Sequence, residues 1–221
     1  MKIERLKIGS SKPEEQLEFY RDVLGLEVLQ QKADSFRVRA GYSLLEFHLQ
    51  ENATPYHIAF HIPAYREEQA LQWLKTRTAI IRDGEQELVD FPNWNARSVY
   101  FYDADHNILE FISRRHCFPS ESEGFSSQDI LGISEIGLAT SNVKETFDFL
   151  HNNFHLNKFT GDTEVFCATG DDQGLFIVVN KEKKSWFPSN DPALAADFEI
   201  KFTTEGGPSE IAYKNQRLEL L

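Results

Sequence analysis

The sequence predicts an α+β fold in which tandem βαβββ modules form two cup-shaped half-barrels. Segments that begin at Arg5 and at Glu135 share their apolar pattern at a constant offset of 130 residues, which indicates an internal duplication. Within each copy, a strand of alternating apolar and polar residues precedes one helical pattern and three further short strands. Phenylalanine is abundant, with 18 of 221 residues, and this suits sheets packed against helices.

The first module shows its elements in order. The segment Ile3–Gly9 alternates as a strand does. A helix follows, because Leu17, Tyr20 and Leu24 share one helical face and Gly25 suits the left-handed position after the last turn. The next three strands are predicted at Leu26–Gln31, Ser35–Ala40 and Ser43–Leu49.

The same order recurs along the chain. The second module is predicted to contain strand His57–Ile62, helix Arg66–Lys75 and strands near Glu87–Phe91, Ser98–Asp103 and Ile108–Ser113. The third module covers Ile133–Asn180. A fourth begins at Phe198–Thr203 but reaches its last strand, Gln216–Leu221, too soon to include a helix, so it is predicted to be truncated.

This order divides the chain into two predicted domains. Residues 1–115 form a first domain of two modules, and residues 130–221 form a second, shortened and degenerate domain of the same kind. Residues 116–129 are rich in serine, glycine and acidic residues without periodicity, which is typical of a linker.

The composition argues against some classes of binding partner. The formal net charge of −12 argues against nucleic acid, because a phosphate backbone would be repelled. There is no run of about 18 apolar residues, so no membrane contact is expected. The first residues lack an apolar signal core, and the two cysteines are not spaced as metal ligands, so a cytoplasmic protein with reduced thiols is expected. A homodimer is left open.

Three motifs carry a family resemblance: FYRDVLGLEV (Phe19–Val28), YHIAFHI (Tyr56–Ile62) and YFYDADHNILEFI (Tyr100–Ile112). With the module order, they resemble the vicinal oxygen chelate superfamily, which includes glyoxalases, bleomycin-resistance proteins and extradiol dioxygenases. In the third motif, Ala104 and His106 stand where that family usually has proline and glycine. The resemblance implies that two units enclose a cup and that metal ligands come from the first and last strands of each unit.

The resemblance places Arg5, Glu46, His57 and Glu110 at the ligand positions of the N-terminal cup. It implies a divalent ion (Zn, Ni, Mn, Co or Fe(II)) bound by His57, Glu46 and Glu110, with Glu46 or Glu110 also acting as a catalytic base. Arg5 stands where histidine, glutamine or glutamate is usual, and its positive charge opposes a metal ion.

In the C-terminal cup, the corresponding positions hold Glu135, Phe176, Glu199 and Glu219. This cup contains no histidine at a ligand position, and Phe176 cannot bind a metal, so it is expected to be degenerate. Because extradiol dioxygenases place their iron ligands in this half, extradiol cleavage at the usual site is not expected.

Strand alternation, considered independently of the family resemblance, also predicts that polar side chains of the N-terminal cup share one surface. In YHIAFHI, His57 and His61 lie on the face opposite Ile58, Phe60 and Ile62. Alternation in the neighbouring strands adds further residues to the same surface, which is predicted to consist of Arg5, Glu46, His48, His57, His61 and Glu110. Four residues along a strand span about 13 Å, at ~3.3 Å per residue, so the two histidines cannot share an ion.

The remaining polar side chains are predicted to contact the substrate: Arg5, His48, His61 and Arg37. Two functions follow. The first is a metal-dependent enzyme of the glyoxalase and dioxygenase type, such as a lyase, that acts on a small oxygen-bearing molecule in the N-terminal cup. The alternative is a metal-free protein that binds and sequesters a small molecule, and Arg5 at a ligand position motivates it.

Overall fold

The computed structural model describes residues 1–120 and 123–221, so residues 121–122 of the predicted linker lie outside the described part. The strands are β1 (Lys2–Ser10), β2 (Glu27–Gln31), β3 (Ser35–Ala40), β4 (Ser43–Leu49), β5 (His57–Ile62), β6 (Ile80–Ile81), β7 (Val89–Phe91), β8 (Ala96–Tyr102), β9 (Ile108–Arg114), β10 (Gly132–Thr140), β11 (Lys158–Gly161), β12 (Phe166–Asp171), β13 (Gly174–Asn180), β14 (Phe198–Thr204), β15 (Gly207–Lys214) and β16 (Arg217–Leu220). The α-helices are α1 (Pro13–Glu18), which continues as one π-helical turn over Phe19–Val23, α2 (Glu67–Lys75) and α3 (Val143–Phe154).

These elements confirm the predicted α+β fold of four modules. The first three modules contain one helix each, and their strands follow the predicted order, with the two-residue β6 as an unpredicted addition in the second module. The fourth module, β14–β16, has no helix among its described residues, as its short length predicted. Gly25 ends the first helix with φ +64°, a left-handed conformation that glycine adopts at little cost.

The strands form two sheets. One sheet has seven strands in the order β16-β15-β14-β1-β4-β3-β2, and the other follows the order β11-β12-β13-β10-β5-β9-β8-β6, with β7 beside β8. The first sheet therefore joins modules one and four, through the antiparallel pair β1 and β14. The second sheet joins modules two and three, through the antiparallel pair β5 and β10.

This pairing corrects the expected composition of the cups. Modules one and two were expected to share a cup, but β4 and β5 belong to different sheets. Strand alternation fixes which face of a strand is apolar, and it does not fix which other module lies beside the module's first strand. The boundaries of the two predicted domains, 1–115 and 130–221, remain a prediction.

One continuous core holds the two sheets together. Most buried apolar side chains of both sheets and of all three helices belong to one cluster, in which Leu6, Phe47, Phe60, Phe111 and Phe202 are almost fully enclosed. The nine-stranded sheet has a second apolar cluster, around Tyr100, Ile177 and Trp186. Within the described ranges, no helix has the length and hydropathy needed to cross a membrane.

Hydrogen bonds to Asp103 connect the second module to the first. It lies in the turn between β8 and β9, where its buried carboxylate accepts hydrogen bonds from Gln16 Nε2 (2.8 Å), Tyr20 OH (3.1 Å) and Asn107 Nδ2 (2.8 Å). It also accepts the backbone N–H groups of Asp105 and Asn107. Burial nevertheless raises the pKa of this carboxyl to about 6.

We expect Asp103→Asn to lower the free energy of unfolding by ~2–4 kcal/mol, because an amide nitrogen would then face donors that need an acceptor. Since the pKa of Asp103 rises from 3.8 to about 6 on folding, its contribution to stability falls as the pH rises from about 4 to 6. The difference in free energy of unfolding between the wild type and Asp103→Asn should therefore decrease as the pH rises from about 4 to 6. Denaturant titrations at several pH values measure it. Asp105→Asn in the same turn is the control, and a difference that is constant with pH would contradict the assignment.

Candidate metal centre

Two carboxylates and one histidine converge on the nine-stranded sheet. In the strand register, Tyr100 lies opposite Glu110, Glu110 opposite Ala59, and Ala59 opposite Glu135. Residues in one such row project from the same face of a sheet. The two glutamates therefore flank Ala59, whose methyl group leaves room for their carboxylates to approach each other.

His57 completes the group. It precedes Ala59 by two residues on β5, so its ring projects from the same face. Its Nε2 lies 3.5 Å from Glu110 Oε2, and one ligand atom from each of His57, Glu110 and Glu135 lies within 4.8 Å of the other two. The exposed fractions of these residues are 5%, 2% and 2%. The three side chains thus form one buried cluster with the atoms that metal ions prefer.

The cluster lies at a cavity of about 380 Å³. Besides the three polar residues, the lining consists of Phe91, Trp94, Tyr100, Thr160, Gly161, Phe166, Ile177, Val179, Lys184, Trp186 and Phe187. The indole ring of Trp186 lies 5.3 Å from the His57 ring, between ring centres. Gly137 on β10 makes this possible, because a Cβ at that position would lie 2.6 Å from Trp186 Cη2.

A buried arginine compensates one of the two carboxylates. Arg114 Nη2 donates a 2.6 Å hydrogen bond to Glu135 Oε1, and both side chains are almost completely buried. The guanidinium carbon lies 5.3 Å from the ring centre of Trp94 and 5.8 Å from that of Phe159. Glu110 makes no ion pair with a lysine or an arginine among the described residues, so the cluster holds one more carboxyl group than it has guanidinium groups.

The pKa values reflect this imbalance. Burial, and then the negative charge of Glu135, raise the pKa of Glu110 to about 8, although Ser98, Tyr100 and Arg114 oppose the shift. Burial lowers the pKa of His57 to about 4, so its imidazole is neutral at pH 7. A neutral imidazole is the form that binds metal ions.

These residues fit a divalent cation. The site offers an imidazole nitrogen and two carboxylates, and His57 Nδ1 is buried without a hydrogen-bond partner among the described residues. A cation would also replace the proton that the raised pKa of Glu110 keeps on its carboxyl group at neutral pH. Three protein ligands leave coordination positions open for a substrate, as in catalytic metal sites.

Glu46, the third ligand in the sequence-based prediction, lies on the other sheet and is not part of this cluster. Arg37 Nη2 lies 2.9 Å from its carboxylate, across the β3–β4 register. Arg5, also on the seven-stranded sheet, pairs with Glu210. The conflict predicted between Arg5 and a metal at His57 therefore does not arise.

The other predicted substrate contacts are also away from the cavity. His48 lies on β4 beside Lys7 and Glu199, and burial lowers its pKa. His61 lies on the nine-stranded sheet but does not line the cavity. Its ring is fully buried, its Nε2 is 3.2 Å from the Gln173 carbonyl oxygen, and burial lowers its pKa to about 3.

Sequence reasoning placed Glu135 at a ligand position but assigned it to a degenerate cup, because the pairing of β5 with β10 could not be read from periodicity. It also placed Phe176 at the position equivalent to Glu46, where it cannot bind a metal. Phe176 packs in the main core, while its neighbour Ile177 lines the cavity, so β13 is shifted by one residue relative to the constant offset that β10 keeps. No sequence signal identified Arg114 or Trp186.

The comparisons with known proteins agree with this fold. Residues 2–111 match the model of the Glyoxalase/Bleomycin resistance protein/Dioxygenase superfamily, and the chain belongs to this superfamily. No curated protein matches the sequence.

Among solved structures, the chain resembles one from Bacillus subtilis described as a "putative dioxygenase", with a TM-score of 0.60 and 17% identity over 81% of this chain and 63% of that chain. It also resembles a variant of glyoxalase I from Zea mays, with a TM-score of 0.56 and 10% identity over 96% and 92% of the two chains. At these identities, the likeness concerns the fold.

We expect Arg114→Met to lower the free energy of unfolding by ~3–5 kcal/mol, because it leaves the Glu135 carboxylate buried without its partner. Adding Glu135→Gln should recover much of this loss, since the double variant buries no unpaired charge. Denaturant titrations of the two single variants and the double variant measure the coupling. Strictly additive losses would show that the two side chains do not interact.

Proposed function

We propose that the protein is a metal-dependent enzyme that acts on a small oxygen-bearing molecule in the cavity of the nine-stranded sheet. His57, Glu110 and Glu135 hold the ion in this proposal, in place of the predicted set with Glu46. The observation that supports it most is the convergence of these three ligands, with an uncompensated carboxyl group, in a buried cavity. Zn, Ni, Mn, Co and Fe(II) all suit such ligands.

Each part of the cavity has a role in this proposal. The bound ion supplies Lewis-acid polarisation of substrate oxygen atoms. The aromatic walls exclude water, which strengthens electrostatic interactions at the ligands. Glu110 is the candidate for proton transfer, because it lies in the cavity beside His57 and, unlike Glu135, makes no ion pair with an arginine among the described residues. A catalytic role for Glu46 does not follow, since its sheet does not line this cavity.

Metal content and thermal stability test the ligand set. After removal of metals with a chelator, one of the five ions should bind at about one equivalent and raise the melting temperature; at 100 times its Kd, it stabilises the folded state by ~2.7 kcal/mol. His57→Ala and Glu110→Gln should each weaken binding by more than about 100-fold, because they remove a direct ligand. Affinity is measured by calorimetry and bound metal by elemental analysis.

Glu46→Gln is the matched control, since it changes a glutamate of the same predicted set that lies on the other sheet. It should leave both metal content and affinity unchanged. Loss of the ion in Glu46→Gln, or unchanged binding in His57→Ala, would contradict the proposed site.

One observation favours a second candidate function, a metal-free protein that binds a small molecule. Arg114 already supplies a cation to Glu135, in the geometry of a buried ion pair. In this case, none of the five ions should raise the melting temperature of the wild type. A ligand of the cavity should then stabilise chelator-treated protein as strongly as protein with added metal.

A further inference from the structure

A hydrogen-bonded loop forms part of the cavity wall. The connection between β13 and β14, residues 181–197, contributes Lys184, Trp186 and Phe187 to the lining. Trp186 N–H donates a 2.8 Å hydrogen bond to the Asp191 carbonyl oxygen, and Tyr102 OH on β8 donates a 2.6 Å hydrogen bond to Asp191 Oδ2. Because the loop is bonded both internally and to the sheet beneath it, it forms part of the binding site.

Six aromatic rings form much of the wall. Phe91, Trp94, Tyr100, Phe166, Trp186 and Phe187 all line the cavity. The ring centres of Phe91 and Trp94, of Phe91 and Phe187, and of Tyr100 and Phe187 are each 6.0 Å apart, so the rings already contact one another. Such walls favour a planar ligand, since ring faces and edges interact best with another flat π-system.

The charges of the lining are unevenly distributed. Glu110 and Glu135 are buried, whereas Lys184 is half-exposed and is the only lysine or arginine among the described lining residues. Lys184 Nζ lies 5.6 Å from the ring centre of Phe166 and makes no ion pair with a described residue. The cavity thus has carboxyl groups at its buried end and a free ammonium group at its entrance.

We propose that the ligand of this cavity is a planar aromatic compound with one anionic group, and that Lys184 is the residue that selects for that group. The aromatic rings hold the flat part of the ligand, and the ammonium group of Lys184 pairs with the anion at the entrance. In the opposite orientation, and without a metal ion, the anion would lie at the buried end, where Arg114 is already paired with Glu135 and an unpaired charge is costly. This inference rests on the proposed function only because both concern the same cavity.

Binding of 2-naphthoate and of its neutral isostere 2-naphthamide tests the proposal. With chelator present, so that no metal can bind the carboxylate, 2-naphthoate should bind wild-type protein about tenfold more tightly than 2-naphthamide, because a charged hydrogen bond forms in a partly dry site. Lys184→Gln should abolish this preference, so that the variant binds 2-naphthoate and 2-naphthamide with about equal affinity. Calorimetry measures both affinities.

Lys183→Gln is the matched control, since it removes the same charge from an exposed neighbour that does not line the cavity. It should keep the preference for the carboxylate. Equal affinities for the two probes in the wild type, no binding of either probe, or an unchanged preference in Lys184→Gln would each overturn the proposal.

This test is independent of the metal site. If the carboxylate preference depends on Lys184 but no ion binds at His57, the ligand class stands and the metal-dependent function fails. If an ion binds at His57 and 2-naphthoate shows no preference, the ligand class fails and the metal site stands.

Discussion

The antiparallel pairing of β5 with β10 is the constraint on which the candidate site depends. It places Glu135 opposite Ala59, and the parallel pairing of β5 with β9 places Glu110 on the other side of the same alanine. A shift of one residue in either pair would turn one carboxylate towards the apolar core. The register thus determines that two acids meet beside His57. An ion pair with Arg114 offsets the burial of Glu135, and a raised pKa offsets the burial of Glu110.

The two sheets differ in how the charged side chains on their faces are paired. On the seven-stranded sheet, lysine and arginine side chains pair with glutamates at half-exposed positions, as Lys7 and Lys214 do with Glu199. These pairs lower the pKa of Glu199 to about 2. On the nine-stranded sheet, the loop over residues 181–197 packs beside Glu110 in the cavity wall, and Glu110 remains without a guanidinium or ammonium partner among the described residues. Burial without full compensation of charge is typical of functional sites.

The sequence predicted much of the fold because alternation and helical spacing reflect burial directly. It identified four modules, the truncation of the last one, and the faces of β5 and β9 from which His57 and Glu110 project. It could not show which modules share a sheet, because the pairing of β5 with β10 depends on contacts between distant segments. Glu46 was therefore grouped with His57, and Glu135 was separated from it. Likewise, the one-residue shift that exchanges Phe176 for Ile177 leaves the apolar pattern almost unchanged, since both residues are apolar.

Anomalous diffraction from crystals soaked in a zinc or manganese salt tests the central claim most directly, because it locates an ion without relying on activity. The account predicts one strong peak among His57, Glu110 and Glu135, beside the indole ring of Trp186. A peak on the seven-stranded sheet beside Glu46, with none at His57, would contradict it.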